Sequence, residues 1–553
     1  MQRLFYLALA CLTLQAAQAP PPQATLGAAI ARMQANDPAG AAQILEDVTK
    51  REPANGRAWR NLGLAYQTLK NLDKAAAAYQ RALDVDAAVP TPLYNLGIVY
   101  ALKQDRDRAF EWLQRAKASK KIDMTQVSVA PELAALKNDA RFAALLPSRA
   151  DFEHPFVEDV RIIREWDGEA AQDQFGWIAR NLGDVDGDGV ADVVTSAPTA
   201  GAAHAAGRVY VYSTKTGKKL WSADGSEGDQ LGTGVEAAGD TNKDGIPDVV
   251  AAAPGSGYAK IYSGRDGRVL QTLRAEDKQD NFGRHAEGVG DVNGDGCADV
   301  IVGAPGNNAA GQGAGRAYVY SGKTGDVLLT LSGERAGDGF GSAVAGATTK
   351  GKLLLIVGAP RAGERHTGRT YVYDSMSTKP KFVIEADETG GALGAMFLSV
   401  PGDMNGDGVP DVYASDWANT AKGPSTGRAY VHSGADGRHL LTLTGETAGE
   451  GFGTSPSVAG DVDGDGFADL IVGAWQYSRE AIGAGRAYLY SGKDGRLLKT
   501  YTCRIPGDTF GFDAVTLGDV DGDRSADFLI TSAWSGISGF HSGRIFVISS
   551  GVR

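Results

Sequence analysis

Hydrophobic positions along this chain of 553 residues follow two different rhythms. From Pro22 to Asp123 apolar residues return every three or four positions among many alanines, which turns one face of each helical turn toward a core and predicts α-helices. A longer period of about 34 residues lies over the short one. Trp59, Leu62, Gly63, Tyr66, Ala75, Tyr79 and Ala82 come back as Leu93, Leu96, Gly97, Tyr100, Ala109, Leu113 and Ala116, and a weaker first copy has Ala28, Ala41, Leu45, Val48 and Pro53. Small Gly63 and Ala75 let two antiparallel helices approach closely. The repeats fall at about 22–55, 56–89 and 90–123, and Pro131 to Leu146 is expected to form one more amphipathic helix that caps the stack, giving an all-α domain over 22–150.

Beyond residue 158 the pattern changes to short runs with strand character, repeated every 55 residues or so, a spacing of roughly one four-stranded unit. Each repeat opens on an apolar-Gly pair: Phe175-Gly176, Leu231-Gly232, Phe282-Gly283, Phe340-Gly341, Leu393-Gly394, Phe452-Gly453 and Phe510-Gly511. A short alternating strand follows, then an acidic loop, then a β-branched strand such as Ile301-Val302 that ends in a turn like Ala304-Pro305. A Gly-Arg start leads the third strand, as in Gly315-Arg316-Ala317-Tyr318-Val319-Tyr320, and a Thr-Gly or Asp-Gly hairpin leads to the fourth. Seven openings predict seven blades of an all-β propeller over 158–553. The last repeat stops after its third strand, and Val160 to Trp166 is a strand without a repeat of its own, so the ring is expected to close by strand exchange.

Six of the seven repeats carry the acidic loop, D-x-[DN]-x-D-x-x-x-D. Its oxygen-bearing side chains are Asp184, Asp186, Asp188 and Asp192; Asp240, Asn242, Asp244 and Asp248; Asp291, Asn293, Asp295 and Asp299; Asp403, Asn405, Asp407 and Asp411; Asp461, Asp463, Asp465 and Asp469; and Asp519, Asp521, Asp523 and Asp527. Carboxylates packed this densely repel one another unless a cation sits among them. Calcium accepts six to eight oxygens at roughly 2.3–2.6 Å, and such a loop offers three or four side chains and a backbone carbonyl. The expectation is up to six Ca2+ ions. The return to a β-strand after the ninth residue, with no Glu at position 12, separates the loop from a helix-flanked EF-hand. In the fourth repeat the link is Thr348-Thr349-Lys350-Gly351-Lys352, without a carboxylate. Arg524 stands in the seventh loop where the others have glycine.

The helical positions resemble the tetratricopeptide repeat, which implies a protein or peptide partner on that array. The later repeats resemble FG-GAP repeats, similar to the seven-bladed propeller at the head of integrin alpha subunits. That resemblance implies a calcium loop between the first and second strands of a blade, metal ligation by the residues just named, and a non-catalytic role in adhesion or protein assembly. The face opposite those loops is the expected surface for a protein or glycan ligand. On it Trp417, Trp475 and Trp534 replace the turn proline of blades five to seven, and His204, His366 and His541 lie in equivalent loops of blades one, four and seven.

Composition narrows the partners. Formal charge is −12, and six divalent ions would neutralise it; an acidic balance speaks against nucleic acid. Arg3, the apolar run Leu4 to Leu14 and Ala17-Gln18-Ala19 read as an export segment over 1–19, placing the chain in the periplasm, at the cell surface or outside the cell. Cys11 after Ala10 offers lipoprotein anchoring as an alternative, although Ala8 stands where leucine is usual. No later stretch has the roughly 20 apolar residues of a membrane span. A nucleophile elbow, a phosphate loop and a His-Glu-x-x-His motif are missing from the sequence. The competing reading is an exported enzyme, a hydrolase or a quinone-type dehydrogenase, on a propeller scaffold, prompted by Thr216-Gly217-Lys218-Lys219-Leu220-Trp221.

Overall fold

The computed structural model describes residues 25–201, 205–455 and 458–552. The expected export segment with Cys11, and His204, lie outside the described residues. Two compact units emerge, one running up to Ser119 and including Pro131–Phe142, the other made of Lys120–Ala130 and the chain from Ala143 onward. The propeller unit therefore takes 120–130 and 143–150 from the helical domain expected over 22–150. Packing explains it for 120–130: the Ile482 amide donates to the Lys121 carbonyl at 3.0 Å, and Asp123 and Thr125 lie so close to Gly507 and Gly536 that a Cβ there would meet them at 2.8 and 2.5 Å. Just beyond residue 150, buried Phe156 packs its ring 5.0 Å from Phe510 and 5.4 Å from Phe546.

The first unit holds three helical hairpins: Leu26–Gln34 with Pro38–Arg51, Gly56–Thr68 with Leu72–Val85, and Thr91–Leu102 with Arg106–Ala118. Thr25, Asp37, Asn55, Asn71 and Asp105 cap their helices by accepting a backbone N–H from the first turn. The repeat glycines have a steric cause. A Cβ at Gly63 would lie 2.5 Å from the Tyr79 ring, and one at Gly97 would lie 2.6 Å from Leu113. The capping helix expected over 131–146 is not an α-helix; the segment forms two short 3-10 turns, Pro131–Leu136 and Ala143–Leu145. Asp139 breaks it by accepting the Arg141 backbone N–H at 3.0 Å and gripping the Arg141 guanidinium, a local bond that competes with helical pairing. Leu133 and Leu136 are still buried, so the apolar face that suggested a helix does pack.

The second unit consists of seven four-stranded antiparallel sheets. Blade one is Ala179–Gly183, Asp192–Ala197, Arg208–Tyr212 and Lys219–Asp224, and the others follow the same order. Successive blades touch in sequence, through their first strands from blade one to blade five and through second or third strands against first strands from five to seven, and blade seven touches blade one, so the sheets form a closed ring. Blade seven takes its fourth strand from Ile162–Asp167, which pairs antiparallel with Arg544–Ser549. Blade junctions explain the Gly-Arg and Phe-Gly motifs together. Gly207 pairs in parallel with Leu231 of the next blade, as do Gly315 with Phe340, Gly368 with Leu393, Gly485 with Phe510 and Gly543 with Phe175. A Cβ on Gly315 would lie 2.1 Å from the Phe340 carbonyl oxygen, so only glycine fits. Two residues before the opening pair stands a buried acid: Asp173, Asp229, Asp280, Asp338, Glu450 or Asp508. The first five accept the N–H groups of Ala170, Ser226, Asp277, Arg335 and Glu446, pinning the incoming loop. Blade five has Gly391 there, and Asp416 from the end of its second strand takes over by accepting from Gly391 and Ala392.

Candidate metal centres and recognition face

Each acidic loop winds around its first aspartate. Gly187 donates to one Asp184 oxygen at 2.7 Å and Gly189 to the other at 2.9 Å, and the equivalent bond from the sixth loop residue measures 2.7–3.0 Å in all six loops. This tight path needs positive φ at the fourth and sixth positions. Glycine supplies it except at Lys243, at 65°, and Arg524, at 69°. The ninth residue does a different job. Asp192, Asp248, Asp299, Asp411, Asp469 and Asp527 are fully buried, and each accepts the N–H of the second loop residue at 2.8–2.9 Å. Five of them also accept an N–H just past the third strand, from Thr214, Gly264, Gly322, Gly434 or Gly492. One carboxylate thereby ties together the first three strands of a blade.

In blades one, six and seven three carboxylates converge, with one oxygen each from Asp184, Asp186 and Asp192, from Asp461, Asp463 and Asp465, and from Asp519, Asp521 and Asp527 within 4.8 Å of one another. In blades two, three and five the third position is an amide, and Asn242, Asn293 and Asn405 place their nitrogens beside Asp248, Asp295 and Asp411. Burial and the neighbouring acids push the carboxyls of Asp192 and Asp411 up to about 6 and that of Asp527 to about 7; Asp248, Asp299 and Asp469 are raised for the same reason. Asp188 Oδ2 and Asp527 Oδ1 are buried without any hydrogen-bond donor. An all-oxygen donor set with unsatisfied buried lone pairs fits a hard divalent cation and gives no soft ligand for zinc or copper.

Side-chain cations also approach the loops. Arg161, next to the closing strand, lies 2.5 Å from both Asp521 and Asp523, and Arg496 lies 3.3 Å from Asp463.

The opposite face is aromatic. Trp475 and Trp534 meet edge to face at 4.7 Å, and Phe512 touches both, at 5.6 and 6.3 Å. Phe512 also contacts Trp177 at 4.9 Å and Phe397 at 6.2 Å. Trp417 makes no ring contact with this cluster; it is half-buried with its indole N–H lacking an acceptor, as is that of Trp534. His541 stacks on Trp534 at 5.5 Å. Of the three tryptophans expected together, Trp475 and Trp534 meet and Trp417 stands apart, while Trp177 and Phe512, which the turn positions did not mark, complete the cluster. Their signal was available: the residue after each opening glycine faces the mouth of the central channel in blades one to five and seven, giving Trp177, Thr233, Arg284, Ser342, Ala395 and Phe512 around one cleft.

Below the mouth, Arg180 is buried between Glu236 and Asp513 and donates to both. Burial and the adjacent guanidinium groups hold His285 down to about 3, so it is neutral, while burial and Glu236 push Glu287 well above the usual carboxyl range.

Each of the two repeats matches a known family. A profile described as tetratricopeptide repeat matches 26–91 and 73–121, one described as FG-GAP repeat matches 175–212, 285–320 and 452–490, and an FG-GAP-like profile matches 240–302. The chain carries FG-GAP repeats behind tetratricopeptide repeats. Integrin alpha-PS5 of Drosophila melanogaster is 33% identical over 172 residues, 28% of this chain and 17% of the relative. Integrin alpha-4 of Xenopus laevis is 29% identical over 182 residues, 30% and 17% of the two chains. Integrin alpha-5 of Xenopus laevis is 26% identical over 271 residues, 46% and 21%. The matched segments thus span about a fifth of these relatives or less. Among the described residues no helix is long and apolar enough to cross a membrane.

Proposed function

We propose that this chain is an exported, calcium-loaded interaction scaffold of adhesion type, in which up to six Ca2+ ions lock the first two strands of their blades, the aromatic face of the propeller receives a ligand, and the helical array holds a protein partner. The observation that carries the reading is the acidic loop itself, repeated six times with a fully buried ninth carboxylate and, in blades one and seven, carboxylate oxygens that no donor satisfies. In the filled loop the side-chain oxygens at positions 1, 3, 5 and 9 and the carbonyl of position 7 would bind the ion. Calcium there supplies positive charge and geometry; it turns binding energy into blade stability by mass action. The role is structural, because the loop's own oxygens fill the shell and no general base recurs beside it.

The test is capture of partners from the native cell envelope and medium by the full chain, first with calcium and then with chelator. A partner retained with calcium and released by chelator supports the reading. Capture indifferent to chelator, together with hydrolytic or quinone-dependent turnover by the purified protein, would replace it with the enzyme reading.

A further inference from the structure

Arg284 is the odd member of the ring around the channel mouth. It follows the opening glycine of blade three, where the other lining residues are aromatic, hydroxylic or small, and it shares a cleft with Trp177, Phe397 and Phe512. Its guanidinium is half-buried and has no carboxylate partner; burial alone acts on it, pushing its pKa down. The other arginines of this unit that point into buried ground are paired, Arg180 with Glu236 and Asp513, and Arg544 with Glu165. No acidic side chain lines the cleft among the described residues. The acids deeper in the channel are unavailable as well, since Glu236 and Asp513 are engaged by Arg180 and Glu287 is held toward its neutral form. A half-buried charge without a partner costs stability. Its position, in the lining of a largely apolar cleft, is where an anion entering that cleft would meet it.

We propose that the channel mouth is a carboxylate-binding site, in which Arg284 pairs with an acidic side chain of a protein ligand whose methylene stem lies among Trp177, Phe397 and Phe512. This rests on the scaffold reading and names the chemistry of its ligand. The walls select the source of the carboxylate. Besides Arg284 and neutral His285, the polar groups at hand are the hydroxyls of Thr233 and Ser342, which leaves the many hydroxyls of a uronic sugar without partners once dehydrated. A glutamate stem needs only apolar contact. Arginine suits the task because its planar fork grips a carboxylate through two parallel hydrogen bonds, which lysine does not.

Poly-L-glutamate titrated into the calcium-loaded full chain, read by calorimetry and by tryptophan fluorescence, tests the assignment, with poly-L-lysine and polygalacturonate as parallel arms. Wild-type protein is expected to bind poly-L-glutamate with a change in indole emission, R284M at least tenfold more weakly, and R284K in between. R284M is expected to melt no lower than wild type, because the charge it removes has no partner. Equal binding by R284M, absence of binding, or a clear loss of melting temperature in R284M would each overturn the site. So would Arg284-dependent binding of polygalacturonate alone, or a preference for poly-L-lysine. If native partners are captured equally by wild type and R284M in a calcium-dependent way, the carboxylate site falls and the scaffold reading stands.

Discussion

Blades three and four build the same hairpin by different means. In blade three the first strand ends in a bulge at Gly288 and Gly290, and eight residues intervene before Asp299 resumes the ladder. In blade four the ladder runs unbroken from Val344 opposite Val357 to Thr349 opposite Lys352, closed by Lys350 and Gly351 at φ of 52° and 74°, the two left-handed residues of a type I′ turn. Backbone pairing alone closes the second hairpin. The first depends on carboxylates that accept inward N–H groups, and in the proposed calcium-loaded state a cation offsets their mutual repulsion. An acidic loop is thus an alternative to a tight turn, and one propeller holds both.

Chelation should separate the two most strongly. At a hundredfold excess over its dissociation constant each ion contributes about 2.7 kcal/mol, so removing all of them should lower the melting temperature by at least about 10 °C. Hydrogen exchange should show where. Amides between Asp291 and Asp299 should lose protection while those around Thr348 to Lys352 keep theirs. Equal loss in both hairpins would mean that the blades unfold as one body and that the loop is not the local lock.

A smaller effect follows from one side chain. Asp299→Ala removes a proposed ligand and also leaves the Val292 and Gly322 N–H groups without acceptors, so it should cost about 2–4 kcal/mol by denaturant unfolding in calcium. Asn at the same position keeps one acceptor oxygen and should cost less. If the two variants are equally stable, the buried hydrogen bonds carry none of the effect.

What could be read from the residues, and what could not, follows from distance along the chain. Blade openings, acidic loops and the plain turn of blade four are local patterns of fixed spacing, and each stands where its repeat puts it. The Arg180 cluster joins residues 56 and 333 positions apart, and no short-range pattern announces such a pairing. The acids two before each opening pair were legible in principle and hidden by their variation, as Glu450 in blade six and as Asp416 standing in for Gly391 in blade five. The capping segment misled because its apolar spacing is helical while Asp139 and Arg141 bend the backbone. In the candidate site, spacing alone placed the loop carboxylates in order but not the orphaned oxygens of Asp188 and Asp527, which depend on burial.

Acidity offers a third contrast, in the metal-free protein. The carboxyls of Asp192 and Asp411 lie at about 6 and that of Asp527 at about 7, above the roughly 3.9 of an unfolded chain. A raised carboxyl contributes stability that is full below the unfolded value and is lost as pH rises through the folded value. The chelated protein should therefore lose several degrees of melting temperature between pH 5 and pH 8, and the gain on adding calcium should be larger at pH 8. Blade four has no such group, so its hairpin amides should exchange with no pH trend beyond the intrinsic one. A chelated protein more stable at pH 8 than at pH 5 would contradict the burial of these acids.

The seventh loop is the subtlest case, because it stands between the two extremes. Its Asp527 lacks the N–H that the other five ninth-position acids receive past the third strand; the Ser550 amide bonds instead to the Ala526 carbonyl. Arg161 already lies against Asp521 and Asp523, and Arg524 holds a left-handed conformation that glycine adopts at no cost. A built-in guanidinium and an incoming ion compete for the same oxygens, so this should be the weakest of the six sites. Metal analysis at limiting free calcium should give five ions in wild type, and R161Q should tighten the sixth by several-fold. Because Arg161 immediately precedes the strand that closes the ring, calcium entering this loop also displaces the arginine that ties that strand to it. Exchange at Ile162 and Ile163 should therefore respond to the sixth ion and to no other, and an R161Q protein with unchanged stoichiometry would show that Arg161 only decorates the loop.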